Sequence, residues 1–90
     1  MKQLEVYFEG HVQGVGFRFT VEHYARSYNV TGFVKNLPDG RVELVIEGEE
    51  EELKRFLDVI CNSPLKRHIY HCNQTWRDAS KALKPFTIKY

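Results

Sequence analysis

GHVQGVGFR, residues 10–18, sets three glycines and one arginine between a stretch that alternates and a stretch with helical spacing. Upstream, Leu4, Val6 and Phe8 alternate with Glu5, Tyr7 and Glu9, the pattern of a strand with one face on a core. Downstream, Val21, Tyr24, Ala25 and Tyr28 fall at i, i+3, i+4 and i+7, with Phe17 just before them, the spacing of one helical face. The stretch therefore hands a first strand to a first helix. Gly10, Gly14 and Gly16 open backbone angles closed to residues with a Cβ, so successive N–H groups can point into one concavity instead of pairing in a sheet. At a helix start such groups bind anions, and Arg18 stands at the rim. A glycine-rich turn that only reverses the chain is the alternative reading of the same residues.

Further along, residues 30–36 are short and β-branched, and Leu37-Pro38-Asp39-Gly40 supplies proline early and glycine last, the chemistry of a tight turn. Val42, Leu44 and Ile46 then alternate against Arg41, Glu43 and Glu47, which makes a β-hairpin. Gly48 and the acids Glu49, Glu50, Glu51 and Glu52 open a second helix at its positive end. Leu53, Phe56, Leu57 and Ile60 give it an apolar face until Asn62-Ser63-Pro64 stops it. The acidic run reads as dipole complement rather than as a binding patch. Between Pro64 and Trp76 the pattern weakens: Ile69, Cys72, Gln74 and Trp76 share a strand face only if an irregularity falls between Ile69 and Cys72. Residues 77–84 read as a basic loop, and Phe86, Ile88 and Tyr90 alternate as a terminal strand.

The order βαββαβ predicts an α+β, ferredoxin-like two-layer sandwich in a single domain over residues 1–90. Its sheet is expected to be four-stranded and antiparallel, with two helices on one face and a short terminal strand. The glycine loop and Asn36 lie at the ends of the first two strands, and spacing alone does not say whether they meet.

Composition narrows the function. Ninety residues, 42% hydrophobic and 13% aromatic, suit one small soluble domain, and no apolar run approaches the ~20 residues of a membrane span. The opening MKQLEVYFEG lacks the apolar stretch of a secretory signal, so the cytoplasm is the expected location. There Cys61 and Cys72 are expected as free thiols, and the sequons at Asn29 and Asn73 as chance matches. Thirteen Lys and Arg against twelve Asp and Glu leave a net charge of +1, unlike a dedicated nucleic-acid or membrane-surface binder. Any anion affinity is local. His68, His71, Cys72 and Cys61 are residue types that hold zinc, but His71 and Cys72 are adjacent and face opposite sides of a strand, so no metal is expected. His11 and His23 flank the loop and helix and read as scaffold. The loop lacks the Lys-Ser/Thr of a nucleotide-binding P-loop and the third glycine of a dinucleotide fingerprint.

Residues 10–18 resemble the GxVQGVxFR signature of the acylphosphatases, and residues 32–43, GFVKNLPDGRVE, resemble their second signature, GxVxNxxDGxVE. The similarity continues through Glu47-Gly48 to Asn62-Ser63-Pro64 and resumes at Phe86-Thr87-Ile88. It departs over residues 69–83, where the family's alternating valines give way to His71, Cys72, Asn73, Gln74 and Thr75. The resemblance implies hydrolysis of the carboxyl–phosphate anhydride of small acyl phosphates, such as acetyl or carbamoyl phosphate, without metal, cofactor or covalent intermediate. It implies that Arg18 and the backbone amides of Gln13, Gly14, Val15, Gly16, Phe17 and Arg18 bind the phosphoryl group, and that Asn36 positions water. Inorganic phosphate is then product and competitor, and a monomer is expected. Two rival readings remain: a non-catalytic sheet that binds RNA or protein through Tyr7, Phe33 and Tyr70, and a phosphate-sensing or carrier-domain partner similar to the acylphosphatase-like domain of hydrogenase maturation proteins.

Overall fold

The computed structural model describes residues 1–80 and 83–90. Its elements run β1 (Lys2–Gly10), α1 (Phe17–Ala25), β2 (Thr31–Asn36), β3 (Val42–Gly48), α2 (Glu50–Cys61), a 3₁₀ turn (Pro64–His68), β4 (Ile69–Asp78) and β5 (Thr87–Lys89). The sheet order is β4-β1-β3-β2-β5. Neighbouring strands among the first four are antiparallel, as the ferredoxin-like order requires, whereas β5 adds to β2 in parallel. The sheet is thus five-stranded and mixed rather than four-stranded and antiparallel. Three residues of β5 carry the difference, and their alternation is the same whichever way the strand runs.

The inward side chains are those the sequence periodicities select. Leu4, Val6 and Phe8 of β1, Val34 of β2 and Val42, Leu44 and Ile46 of β3 are fully buried on the helix-facing side of the sheet. They meet Phe17, Val21 and Ala25 of α1 and Leu53, Phe56, Leu57 and Ile60 of α2. Each large apolar side chain so buried contributes about 1.5–3 kcal/mol relative to exposure, so this shared face holds the layers together. At the end of α2 the buried Ser63 donates to the Ile60 carbonyl at 2.6 Å and accepts from the Leu65 N–H at 3.1 Å, which stops the helix before Pro64. Cys61 and Cys72 are free thiols packed against the core.

The irregularity expected in β4 is present. Gly10 partners Ile69 but Glu9 partners His71, so Tyr70 is the extra residue. Beyond it Cys72, Gln74 and Trp76 lie opposite Phe8, Val6 and Leu4 and share their face, although Gln74 and Trp76 stay exposed on this edge strand. Arg77 and Asp78, expected in the loop, instead extend β4 by pairing with Gln3 and Lys2. Of that loop, Lys81 and Ala82 lie outside the described residues.

Because β4 and β5 occupy opposite edges, the intervening chain must return across the sheet. Glu47, 4% exposed, marks where it does: its Oε2 accepts from the Ser80 N–H at 2.7 Å, the Ser80 hydroxyl at 2.9 Å and the Gln3 carboxamide at 2.9 Å. Past the crossing, the Gly32 N–H donates to the Lys84 carbonyl at 3.0 Å. Gly32 has φ +133°, and a Cβ there would collide with the Val45 carbonyl oxygen of the neighbouring strand. Gly40, at φ +96° in the hairpin turn, has open space around it. Gly32→Ala is therefore expected to destabilise the protein by ~3 kcal/mol or more, and Gly40→Ala by only ~1–2 kcal/mol of backbone strain. Urea denaturation of the two variants checks the contrast.

Candidate active site

A cleft of about 140 Å³ opens at the end of the sheet where β1 and β2 terminate, lined by Val12, Gly14, Gly16, Phe17, Arg18, Phe19 and Asn36. Two anchors shape the loop beneath it. Val12 is fully buried, and Phe17 packs on Phe8 with ring centroids 5.0 Å apart. Between the anchors the chain turns outward through Gly14 (φ 77°) and Gly16 (φ 76°), left-handed angles that favour glycine. Gly16 immediately precedes α1, and its carbonyl accepts the Thr20 N–H at 3.0 Å. Among the described residues no backbone hydrogen bond takes up the N–H groups of residues 13–18. Free donors beside a helix start are what an oxyanion needs.

Arg18 and Asn36, far apart in sequence, line the same cleft. The Arg18 guanidinium lies over the Tyr90 ring, 4.8 Å from its centroid, and donates to the Lys89 carbonyl at 3.4 Å. Asn36 Oδ1 is buried and has no hydrogen-bond partner among the described residues. An orphaned buried acceptor costs about 1–3 kcal/mol, and at a cleft wall it is free to accept from a donor such as water. Of the other residues expected in the cradle, Gly14, Gly16 and Phe17 line the cleft, whereas Gln13 and Val15 belong to the loop without lining it. The Gln13 side chain turns instead toward the β2–β3 hairpin.

That hairpin is braced on its outer side. The Asp39 carboxylate accepts from the Arg41 N–H at 3.1 Å and from Arg41 Nε at 2.8 Å, and these bonds, the backbone one foremost, hold its carboxyl below the usual range. The Arg41 guanidinium in turn covers the Tyr7 ring, 4.8 Å from its centroid. The Tyr7 hydroxyl lies 2.9 Å from Glu43 Oε2 and 3.0 Å from Glu5 Oε1. Burial first, and then the bonds to Glu43 and Glu5, push the phenol from 10.0 up to about 12.

Sequence reasoning missed Phe19, which is 62% exposed yet lines the cleft, and the contact of Lys89 and Tyr90 with Arg18. An aromatic beside Arg18 on the exposed side of α1 was the available signal for the first. Nothing local signals the second. Of the aromatic residues of the rival RNA- or protein-binding surface, Tyr7 and Phe33 are half-buried, the first with the Arg41 guanidinium over its ring and the second with Lys89 Nζ 4.0 Å from its ring centroid. Tyr70 is exposed and meets His11 edge-on at 5.4 Å. Among the described residues no three His, Cys, Asp or Glu side chains converge as metal ligands. His71 faces solvent against Asn73, and burial foremost pushes the Cys61 thiol up, away from the thiolate a metal takes.

A family model described as acylphosphatase matches residues 4–88. The acylphosphatase of Geobacillus kaustophilus (strain HTA426) is 41% identical over 90 residues, covering 100% of this chain and 96% of that protein. The crystal structure of acylphosphatase from Bacillus subtilis aligns over 100% of both chains at 36% identity and a TM-score of 0.89. The crystal structure of T. kodakarensis HypF matches all of this chain at 32% identity and a TM-score of 0.83, but over 12% of its own length.

The raised Tyr7 phenol has a sign that can be checked. Between pH 10 and about 12 the unfolded chain gives up this proton while the folded chain keeps it, so the stabilisation is full below pH 10 and is lost as pH rises through that window. Urea denaturation across this range should show a steeper fall for the wild type than for Tyr7→Phe.

Proposed function

Since the chain belongs to the acylphosphatase family and is a hydrolase acting on acid anhydrides, we propose that the cleft at the end of β1 and β2 is where an acyl phosphate is bound and split. Arg18 and the free amides of the loop receive the phosphoryl oxygens, and Asn36 orients the attacking water. The buried, unpartnered Oδ1 of Asn36 on the wall shared with Arg18 is the observation that carries this reading.

The residue types suit the reaction. A carboxylate is already a good leaving group, so catalysis is chiefly placement of water in line with the phosphorus and stabilisation of charge on the equatorial oxygens. A guanidinium offers a planar fork of charged donors to two of those oxygens, and main-chain N–H groups meet the others without reorganising. The Asn36 carboxamide accepts one hydrogen of the water through Oδ1. The water oxygen then bonds to phosphorus as the bond between phosphorus and the bridging oxygen breaks, with that electron pair leaving on the carboxylate. One proton of the water stays on the attacking oxygen and the other passes to a phosphoryl oxygen, so the dianionic substrate gives carboxylate and dihydrogenphosphate, which then equilibrates its proton with solvent. No residue of the cleft is a base that titrates near neutrality, in keeping with this route.

Small acyl phosphates are the substrate class of this reading. Inorganic phosphate occupies the cradle as product and competitive ligand. A monomer is part of the same reading, and the near-zero net charge fits a small-molecule substrate better than nucleic acid. Cytoplasmic location remains part of the same proposal.

Benzoyl phosphate hydrolysis, followed spectrophotometrically with and without inorganic phosphate, tests the assignment. Loss of one preorganised donor costs about 10²–10³-fold in rate, so Arg18→Ala is expected to lose most turnover, raise KM and lose protection by phosphate. Asn36→Ala is expected to lower kcat with little change in KM. Full activity in Asn36→Ala, or undiminished phosphate protection in Arg18→Ala, overturns the residue roles. Turnover is expected to be unchanged by a chelator.

A further inference from the structure

The Gln13 carboxamide joins two segments that the cleft needs side by side. Its Nε2 donates to the Leu37 carbonyl at 2.7 Å and to the Arg41 carbonyl at 2.9 Å. Leu37 follows Asn36 directly, and Arg41 closes the same hairpin. Those two residues are themselves bonded across the turn, Leu37 N–H to the Arg41 carbonyl at 2.8 Å, and the Leu37 carbonyl also receives the Gly40 N–H at 3.1 Å. Each carbonyl has two lone pairs, so the Gln13 bonds complete the pairing of the hairpin rather than compete with it. Two carbonyls facing one side-chain group demand an NH₂: a carboxylate has nothing to donate, and a hydroxyl has one hydrogen for two acceptors. Gln13 does not line the cleft, so neither bond is needed to hold substrate.

We propose that the Gln13 side chain is a positioning residue for hydrolysis, which sets the distance between the phosphate cradle and Asn36 by tying the glycine loop to the Asn36 hairpin. The inference rests on the reading of Asn36 as the group that orients water. Without the tie, β1 and β2 still reach the same end of the sheet through β3, and Val12 and Phe17 still anchor the loop. What is lost is the fine registry between bound phosphorus and attacking water, where a displacement of about 1 Å costs around 10²-fold in rate. The consequence falls on kcat. Phosphate binding, which uses the loop amides and Arg18 alone, changes little.

A double-mutant cycle separates this role from general loosening of the fold. Wild type, Gln13→Ala, Asn36→Ala and the double variant are assayed with benzoyl phosphate for kcat and KM and with inorganic phosphate for its inhibition constant, and thermal unfolding reports whether each is folded. Gln13→Ala is expected to lower kcat about 10–100-fold while KM and the phosphate constant move less than about threefold. In the Asn36→Ala background the same substitution is expected to change kcat less than about twofold, because the group it positions is gone. Gln13→Met keeps the length and removes both donors, so it carries the cycle if the alanine variant does not fold. Gln13→Glu, isosteric but without donors, is expected to match or exceed the loss. The proposal is overturned if the kcat losses multiply in the double variant, if KM and the phosphate constant rise as much as kcat falls, or if kcat is retained. Retention of kcat by Asn36→Ala alone overturns instead the reading beneath it, and the proposal with it.

Discussion

The register of β1 on β3 and of β3 on β2 is the constraint from which the cleft follows. Phe8 partners Val42, and Val42 partners Asn36, so the three residues form one row at one end of the sheet. With strands about 4.8 Å apart, that row holds the end of β1 and the Asn36 backbone about 10 Å from each other across β3. The loop that leaves β1 at Gly10 returns as α1 through Phe17, whose ring lies on Phe8 in the same row. A slip of one residue would turn Val42, Leu44 and Ile46 from the core to the other face. The burial of those side chains therefore fixes where Arg18 and Asn36 stand, although neither belongs to the core.

Much of this was legible from local pattern, because strands and helices are chosen by which face is apolar. Leu4, Val6 and Phe8, and Leu53, Phe56, Leu57 and Ile60, are buried as their periods require. The glycine loop was legible for another reason: left-handed angles at Gly14 and Gly16 restrict the residue type at those positions, so the sequence carries a trace of the backbone. The meeting of loop and hairpin was not legible. It depends on strand order and register, which are relations between segments. The same holds for Gln13, whose two bonds reach hairpin carbonyls that no spacing connects to it. Read within its own segment, Gln13 offered only a main-chain amide.

The direction of β5 shows how a relation absent from local pattern reaches the chemistry. Phe86 and Ile88 alternate whether the strand runs parallel or antiparallel to β2, and Phe86 packs on Phe56 with centroids 5.9 Å apart. Pairing with β2 requires the chain to cross the sheet first, and it crosses at the end where β2 begins, at the buried Glu47, opposite Thr31, with Ser80. Its result is that the strand ends where β2 ends. Lys89 and Tyr90 thereby arrive beside Arg18. An antiparallel fifth strand would have carried them to the opposite end.

That arrival matters because of what the two residues offer the guanidinium. The salt bridges among the described residues pair Lys2, Arg26, Arg41, Lys54, Arg55 and Arg77 with carboxylates, and none includes Arg18. Exposed pairs of this kind stabilise by only about 0–1 kcal/mol each. Arg18 is held instead by a carbonyl oxygen and an aromatic face. Both attract a cation without neutralising it, and the aromatic contact contributes about 0.5–1 kcal/mol at an exposed site. A carboxylate partner in that place would orient the side chain equally well and cancel its charge. Neutral partners leave the full positive charge of Arg18 at the cleft wall, a local charge in a chain whose net charge is only +1.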